Sequence, residues 1–362
     1  MLRDKRRLAD WRVWKLGIFC IAACALSAFR AWPLTPTASV AAILLLVVTV
    51  GFFVLLAFSD PDNGAARICA YVCGVAVTQG YPIALAISVL YEGNTGKAPT
   101  PTGISLLLRC IQAGISVAAF YVVKAWTDGR IHRPEHSHAP SGRTRPSWWA
   151  IGAVGGATSL SFVSEFPATT IRLIISAITQ TDFSDTHTDT GNTADWWMHV
   201  GTTALAGAVE EPIYVGLAVL LWPYRGSIRQ LVPVAIITSA ARSLLHVYYA
   251  VGQPHLVGAL LAVFGWCAVW STINLAITYH MKSLVPVIVG HGLWNIFVTN
   301  NGDWDIQGPL AVATHFGSAV VTWLVVPAWF IVFASLWLFR WLQRRSAPTQ
   351  VDSPADAGQG PH

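Results

Sequence analysis

Charge is what this sequence has least of. Of its 362 residues only 11% are Asp, Glu, Lys or Arg, whereas a soluble domain carries about 25%. With 54% hydrophobic residues and a mean hydropathy of +0.52, the deficit excludes an ordinary water-soluble enzyme. Repeated apolar runs of about 20 residues point instead to a polytopic membrane protein built of helices. Zinc-finger spacing and a phosphate loop of the Walker type are both missing. The formal charge of +5 therefore calls for no nucleic acid, and its basic residues sit at segment ends, where cytoplasmic loops carry them. Cysteine is also sparse. The six present, Cys20, Cys24, Cys69, Cys73, Cys110 and Cys267, all lie in apolar runs. Cys20/Cys24 and Cys69/Cys73 share a helix face, and the set reads as small packing residues rather than as a disulfide or metal framework.

What is there falls into an ordered series. Met1 to Arg12 carries five basic residues and reads as a cytoplasmic anchor ahead of the apolar run Leu16 to Phe29. Ala25-Leu26-Ser27-Ala28 resembles a signal-peptidase site, but the charge balance of the later loops holds only if this first span is kept. Further spans are expected at about Ser39–Phe58, Ala66–Tyr91 and Gly103–Trp126. A polar loop, 127–147, follows with four arginines; its His132, His136 and His138 read as solvated hinge residues rather than metal ligands. A fifth span starts at Trp148 and is expected to break near Glu165, Pro167 and Arg172, leaving Ala168–Thr179 as an interfacial helix. An acidic loop, 180–195, precedes spans at about Trp196–Trp222, Gln230–Val251, Leu256–His280, Leu284–Val298 and Leu310–Leu342. About ten spans, with both termini in the cytoplasm, place every basic loop inside and every acidic loop outside. The organisation read from this is an accessory bundle over 1–126, a cytoplasmic loop over 127–147, a C-terminal bundle over 148–345 with its core at about 196–300, and a disordered tail over 346–362. The fold class is all-α, and the compartment is the cell membrane.

Three polar interruptions stand out from these apolar helices. Glu210 and Glu211 lie in Ala206-Gly207-Ala208-Val209-Glu210-Glu211-Pro212. An intramembrane charge costs about 2.5–3.5 kcal/mol on insertion scales and marks a functional site by default. Adjacent helical residues project about 100° apart, so the two carboxylates should have different partners. Gly207 should admit a close neighbouring helix, and Pro212 invites a local break. Arg242 and His246, spaced one turn apart, form the second interruption. His291 and Asn295 form the third, with Gly290 and Gly292 flanking the histidine. Together they supply a carboxylate able to deprotonate water, two imidazoles and an amide donor, the groups hydrolysis needs. Glu210, His246 and His291 also form a one-carboxylate, two-histidine set suited to zinc. Residue types alone leave both chemistries open.

The three motifs resemble the CPBP family, the CAAX proteases and bacteriocin-processing enzymes also called Abi proteins. The family pattern runs EExxxR, then FxxxH, then HxxxN or HxxxD, and the resemblance covers about Trp196 to Asn300. It implies an intramembrane endopeptidase in which Glu210 activates water, Glu211 supports the site, His246 and His291 assist or bind metal, and Asn295 helps hold the oxyanion. The implied partners are the lipid bilayer and a membrane-associated protein or peptide substrate. Two positions depart from the pattern. Val215 stands where the family has arginine, and Arg242 where it has phenylalanine. Arg242 is therefore the expected replacement cation. Two other functions compete: a non-catalytic membrane scaffold that keeps the fold, and a proton-coupled transporter. No internal repeat of the kind transporters show relates the two halves.

Overall fold

The computed structural model describes residues 36–92, 103–128, 147–181, 193–223 and 228–298. The spans read at Leu16–Phe29 and Leu310–Leu342, the three loop histidines and the tail lie outside the described residues. Among the described residues all regular structure is helical. Helices α1 (Pro36–Phe58) and α2 (Gly64–Glu92) are joined by a short polar turn. In it Asp60 accepts from the Asp62 amide at 2.8 Å and Asn63 accepts from the Ala65 amide at 2.9 Å. Asn63 thus satisfies an otherwise orphaned donor at the start of α2. Helix α3 (Gly103–Asp128) follows, then α4 (Ser147–Val163) and α5 (Glu165–Thr179).

The α4–α5 junction corrects one expectation. The interruption falls at Ser164, whose backbone stays helical at φ −62°, ψ −18°, and Ile151–Thr179 forms a single stretch long and apolar enough to cross a membrane. Pro167 is the third residue of α5, where its missing N–H would have had no helical partner anyway, so it does not break the rod.

The central rod is built in pieces: α6 (Thr193–Ala204), α7 (Ala206–Glu211), a π-helical turn (Pro212–Leu217) and α8 (Ala218–Leu221). Helix α9 (Ile228–Leu245) ends in a 3₁₀ turn (Val247–Ala250), followed by α10 (Leu256–Met281) and α11 (Val285–Val298). Among the described residues four segments are long and apolar enough to cross a membrane: Ile104–Thr127, Ile151–Thr179, Trp197–Leu221 and Leu256–Met281. Helix α11 is apolar over its described length, which ends at Val298.

Over an 18-residue apolar stretch of the rod Trp197–Leu221, 72% of the residues are buried, against 33, 28 and 39% in the corresponding stretches of the other three spans. The rod is the centre around which the others gather. Helices α3 and α11 pack on α7, α5 and α9 pack on α10, and α4 packs on α11. Outward-facing side chains are apolar, among them Ile151, Ile178 and Val257, as lipid requires. The polar side chains lie inside. Ser161 donates to Asn274 at 2.7 Å, and Asn274 donates to Ser164 and to the Trp270 carbonyl at 3.4 and 3.0 Å. This network ties the α4–α5 junction to α10.

Small residues set the closest approaches. A Cβ on Gly207 would collide with the Ile288 carbonyl, and one on Gly292 would lie 2.6 Å from the Ala204 carbonyl. The central rod and α11 therefore meet backbone to backbone, which brings the Glu210-Glu211 turn against the turn bearing His291.

Candidate active site

Pro212 has no amide to give to the helix, and the chain widens there into the π-helical turn, buried over all six residues. Such turns disturb the regular ladder of backbone bonds and occur often at functional sites. Side chains of α2 reach this region: Gln79 donates to the Val209 carbonyl at 2.9 Å and the Tyr71 hydroxyl to the Tyr214 carbonyl at 3.3 Å. The turn is thus braced immediately on either side of the glutamate pair.

The two glutamates have different surroundings, as their angular separation predicts. Glu211 is wholly buried. Its Oε1 accepts from Arg242 Nη2 at 2.7 Å, from His291 Nδ1 at 2.6 Å and from Trp270 Nε1 at 3.4 Å. The Arg242 guanidinium also lies 5.2 Å from the centre of the Tyr214 ring and 6.0 Å from that of Trp270. A buried carboxylate and a buried guanidinium compensate each other only in this kind of close, multiply bonded geometry. The arrangement ties α7, α9, α10 and α11 together through a single oxygen.

Glu210 instead faces a cavity of about 640 Å³, which Glu211 does not line. Glu210 Oε2 has no hydrogen-bond partner, and Oε1 lies 4.0 Å from Arg109 Nη2. His246, His291 and Asn295 line the same cavity. Among the described residues no hydrogen bond joins any of them to Glu210, so the four groups surround a common space rather than bonding directly.

His246 reaches that space by a route that corrects the sequence expectation. The helix expected to run to Val251 ends at Leu245, and His246 adopts φ −105°, ψ 8°. Its backbone amide bonds to the Ser243 carbonyl at 3.0 Å, while its ring Nδ1 donates to the Arg242 carbonyl at 3.1 Å. The imidazole takes the carbonyl that the amide would use in a continuing α-helix. Arg242 and His246 therefore do not act as a pair from one helix face: the first goes to Glu211 and the second to the cavity. Trp266 packs edge-on against the His246 ring at 5.0 Å. Both imidazoles are held through Nδ1, which leaves Nε2 of each for the cavity. Asn295 donates to the Thr203 carbonyl at 3.2 Å, fixing its amide on the wall opposite α9.

Several polar residues of the cavity were not singled out in the sequence. Glu165, read there only as part of a helix break, is 2% exposed and accepts from Trp266 Nε1 at 2.7 Å. Arg109, Arg172 and His199 also line the space. The signal that could have found Arg109 is simple: an arginine within an apolar span marks a functional position until shown otherwise.

With the geometry in view, comparison with known proteins identifies the central segment. Residues 192–297 match the family model described as Rce1-like, type II CAAX prenyl endopeptidase Rce1-like. This segment is Rce1-like. The match agrees with the CPBP resemblance carried by Glu210-Glu211, Arg242 to His246 and His291 to Asn295. No curated protein and no solved structure matches the chain. The Rce1-like segment holds Glu210, Glu211, Arg242, His246, Trp266, Trp270, His291 and Asn295. Arg109, Glu165 and Arg172 come from α3 and α5, ahead of it.

The zinc set suggested by residue types does not assemble. Among the described residues no three His, Cys, Asp or Glu side chains form a cluster able to hold a metal ion. The cysteines add no alternative; Cys69, Cys73, Cys110 and Cys267 are free thiols and none lines the cavity.

Proposed function

We propose that this protein is an intramembrane endopeptidase of the CAAX type, hydrolysing a peptide bond of a membrane-associated protein or peptide in the cell membrane. The observation that carries the reading is the convergence of the Glu210 carboxylate, His246, His291 and Asn295 on the wall of one cavity. The match of residues 192–297 to a peptidase family supports it independently.

In this proposal a water molecule sits between Glu210 and His246. The Glu210 carboxylate takes its proton as the water oxygen adds to the scissile carbonyl carbon, and His246 Nε2 orients the water by accepting its second hydrogen. Asn295 and His291, the latter as an imidazolium with hydrogen on both ring nitrogens, face the oxygen of the tetrahedral intermediate, where donors held in advance are most effective. The carbon–nitrogen bond then breaks, and the proton held by Glu210 passes to the leaving amine. Glu211 touches none of the reacting atoms. Its work is to hold His291 and Arg242. Because the donors present do not gather into a metal site, no step is routed through a metal ion.

The test is to incubate the purified protein, reconstituted in lipid vesicles, with a library of membrane-anchored peptides and to identify the products by mass. Cleavage at defined bonds by wild type, absent with Glu210→Ala, is the expected result. Equal turnover by both proteins would remove the enzyme reading and favour the membrane scaffold. A chelator such as phenanthroline should leave the rate unchanged; loss of activity restored by added zinc would contradict the metal-free chemistry.

A further inference from the structure

The cavity has a second shell of charge that the family-like motifs do not provide. Val215, where the motif arginine would stand, is fully buried in the apolar core among the side chains around Ile213 and Leu217. It cannot meet either glutamate with a charge. Arg242 answers for Glu211 through its 2.7 Å bond. Among the described residues, the cation within ion-pair distance of Glu210 is Arg109, its Nη2 at 4.0 Å from Oε1.

Arg109 is held in place for this contact. Its Nη1 donates to Gln112 Oε1 at 3.1 Å, one turn along α3, and Gln112 Nε2 reaches the Thr78 carbonyl of α2 at 3.5 Å. The guanidinium is thus braced from two helices that lie outside residues 192–297, and it enters the wall of the same cavity as Glu210. Its side chain is 23% exposed while that of Glu210 is 6% exposed, so the pair is screened from solvent mainly on the carboxylate side. Oε1 lies beside the arginine, and Oε2 is buried without a hydrogen-bond partner.

We infer that Arg109 is a positioning residue for the proposed hydrolysis: from α3 it holds the Glu210 carboxylate at the cavity wall, where the water meets it. The division of cations follows, with Arg242 serving the structural glutamate and Arg109 the reacting one. The accessory helices then complete the site and do not merely support it. This inference rests on the proteolytic reading, and its test is arranged so that the two can fail separately.

The experiment compares wild type with Arg109→Gln and Arg109→Lys in the reconstituted full chain, measuring kcat and KM on a cleaved peptide. Misplacing a reacting group by about 1 Å costs about a hundredfold in rate, so Arg109→Gln should lower kcat by about ten- to a hundredfold. KM should stay within about threefold, because the arginine acts through Glu210 and not on the substrate. Arg109→Lys should recover most of the loss. An unchanged kcat in Arg109→Gln, a loss carried by KM, or a lysine variant as slow as the glutamine one would overturn the role. A stability cycle reads the contact without activity: the thermal midpoints in detergent of Arg109→Gln, Glu210→Gln and the double variant. The midpoint shifts should be non-additive, the double variant melting no lower than the less stable single; additive shifts would show that the two residues do not interact. If wild type cleaves nothing, the proteolytic reading falls together with the catalytic half of this inference, and the midpoint cycle alone decides the pairing.

Discussion

At the scale of single residues, the account assigns opposite duties to two neighbouring glutamates. Glu211 is surrounded by three donors, and removing one side of its buried ion pair should be severe. Arg242→Gln is expected to destabilise the protein by about 3–5 kcal/mol, since it leaves a buried carboxylate uncompensated; a lowered thermal midpoint and poor recovery from detergent would show it. A variant as stable and active as wild type would contradict that role for Arg242. His246→Ala should instead leave the fold largely intact, because the ring bonds only to its own helix end and to aromatic neighbours. Its effect should fall on turnover, by about 10²–10⁴-fold as is usual for loss of a group that acts on the proton in flight. Comparing its melting curve with its kcat separates the two effects.

At the scale of elements, the site depends on how closely the central rod and α11 approach. Gly207→Ala would drive a methyl group into the Ile288 backbone carbonyl, which cannot swing aside as a side chain could. A cost of about 1–3 kcal/mol is expected, with loss of activity because Glu210 and His291 are pushed apart; a melting curve and a cleavage assay check both. This contact was legible in the sequence, since a glycine three residues before a membrane glutamate reads as room for a partner helix. The different partners of Glu210 and Glu211 were legible for the same kind of reason, from helical geometry alone. The end of α9 was not. Ser243-Leu244-Leu245-His246-Val247 has no glycine or proline to announce a stop, and the helix ends because the His246 ring captures the Arg242 carbonyl. The α4–α5 interruption at Ser164 lies beside Glu165, where the sequence places it, but it does not set Ala168–Thr179 apart from the rod. Pro167 looks like a breaker in sequence but falls in a first turn, where proline is tolerated.

At the scale of the whole molecule, the all-helical class was readable from composition, and four segments among the described residues are long and apolar enough to cross a membrane. Less readable was which parts of the chain meet at the site. Sequence reading confined it to the segment around Trp196 to Asn300, yet α3 and α5 contribute Arg109, Glu165 and Arg172 to the cavity wall. Isolated charges in apolar helices carry no spacing pattern, so nothing in the sequence joined them to motifs about a hundred residues away. The structural consequence is that residues 192–297 are not an independent unit: Gln79 and Tyr71 brace carbonyls beside the glutamates from α2. A chain beginning after Asp128 is expected to lose activity, and a separately expressed 1–128 segment should restore part of it if the two associate in the membrane.

The central claim, that Glu210 does the chemistry while Glu211 holds the site together, is tested most directly by one paired measurement. Glu210→Gln and Glu211→Gln are each reconstituted in lipid vesicles, and peptide cleavage and thermal midpoint are recorded on the same samples. The account predicts that Glu210→Gln loses cleavage by about 10²–10⁴-fold with its midpoint close to wild type, whereas Glu211→Gln loses both. Wild-type cleavage by Glu210→Gln, or a normal midpoint in Glu211→Gln, would contradict it.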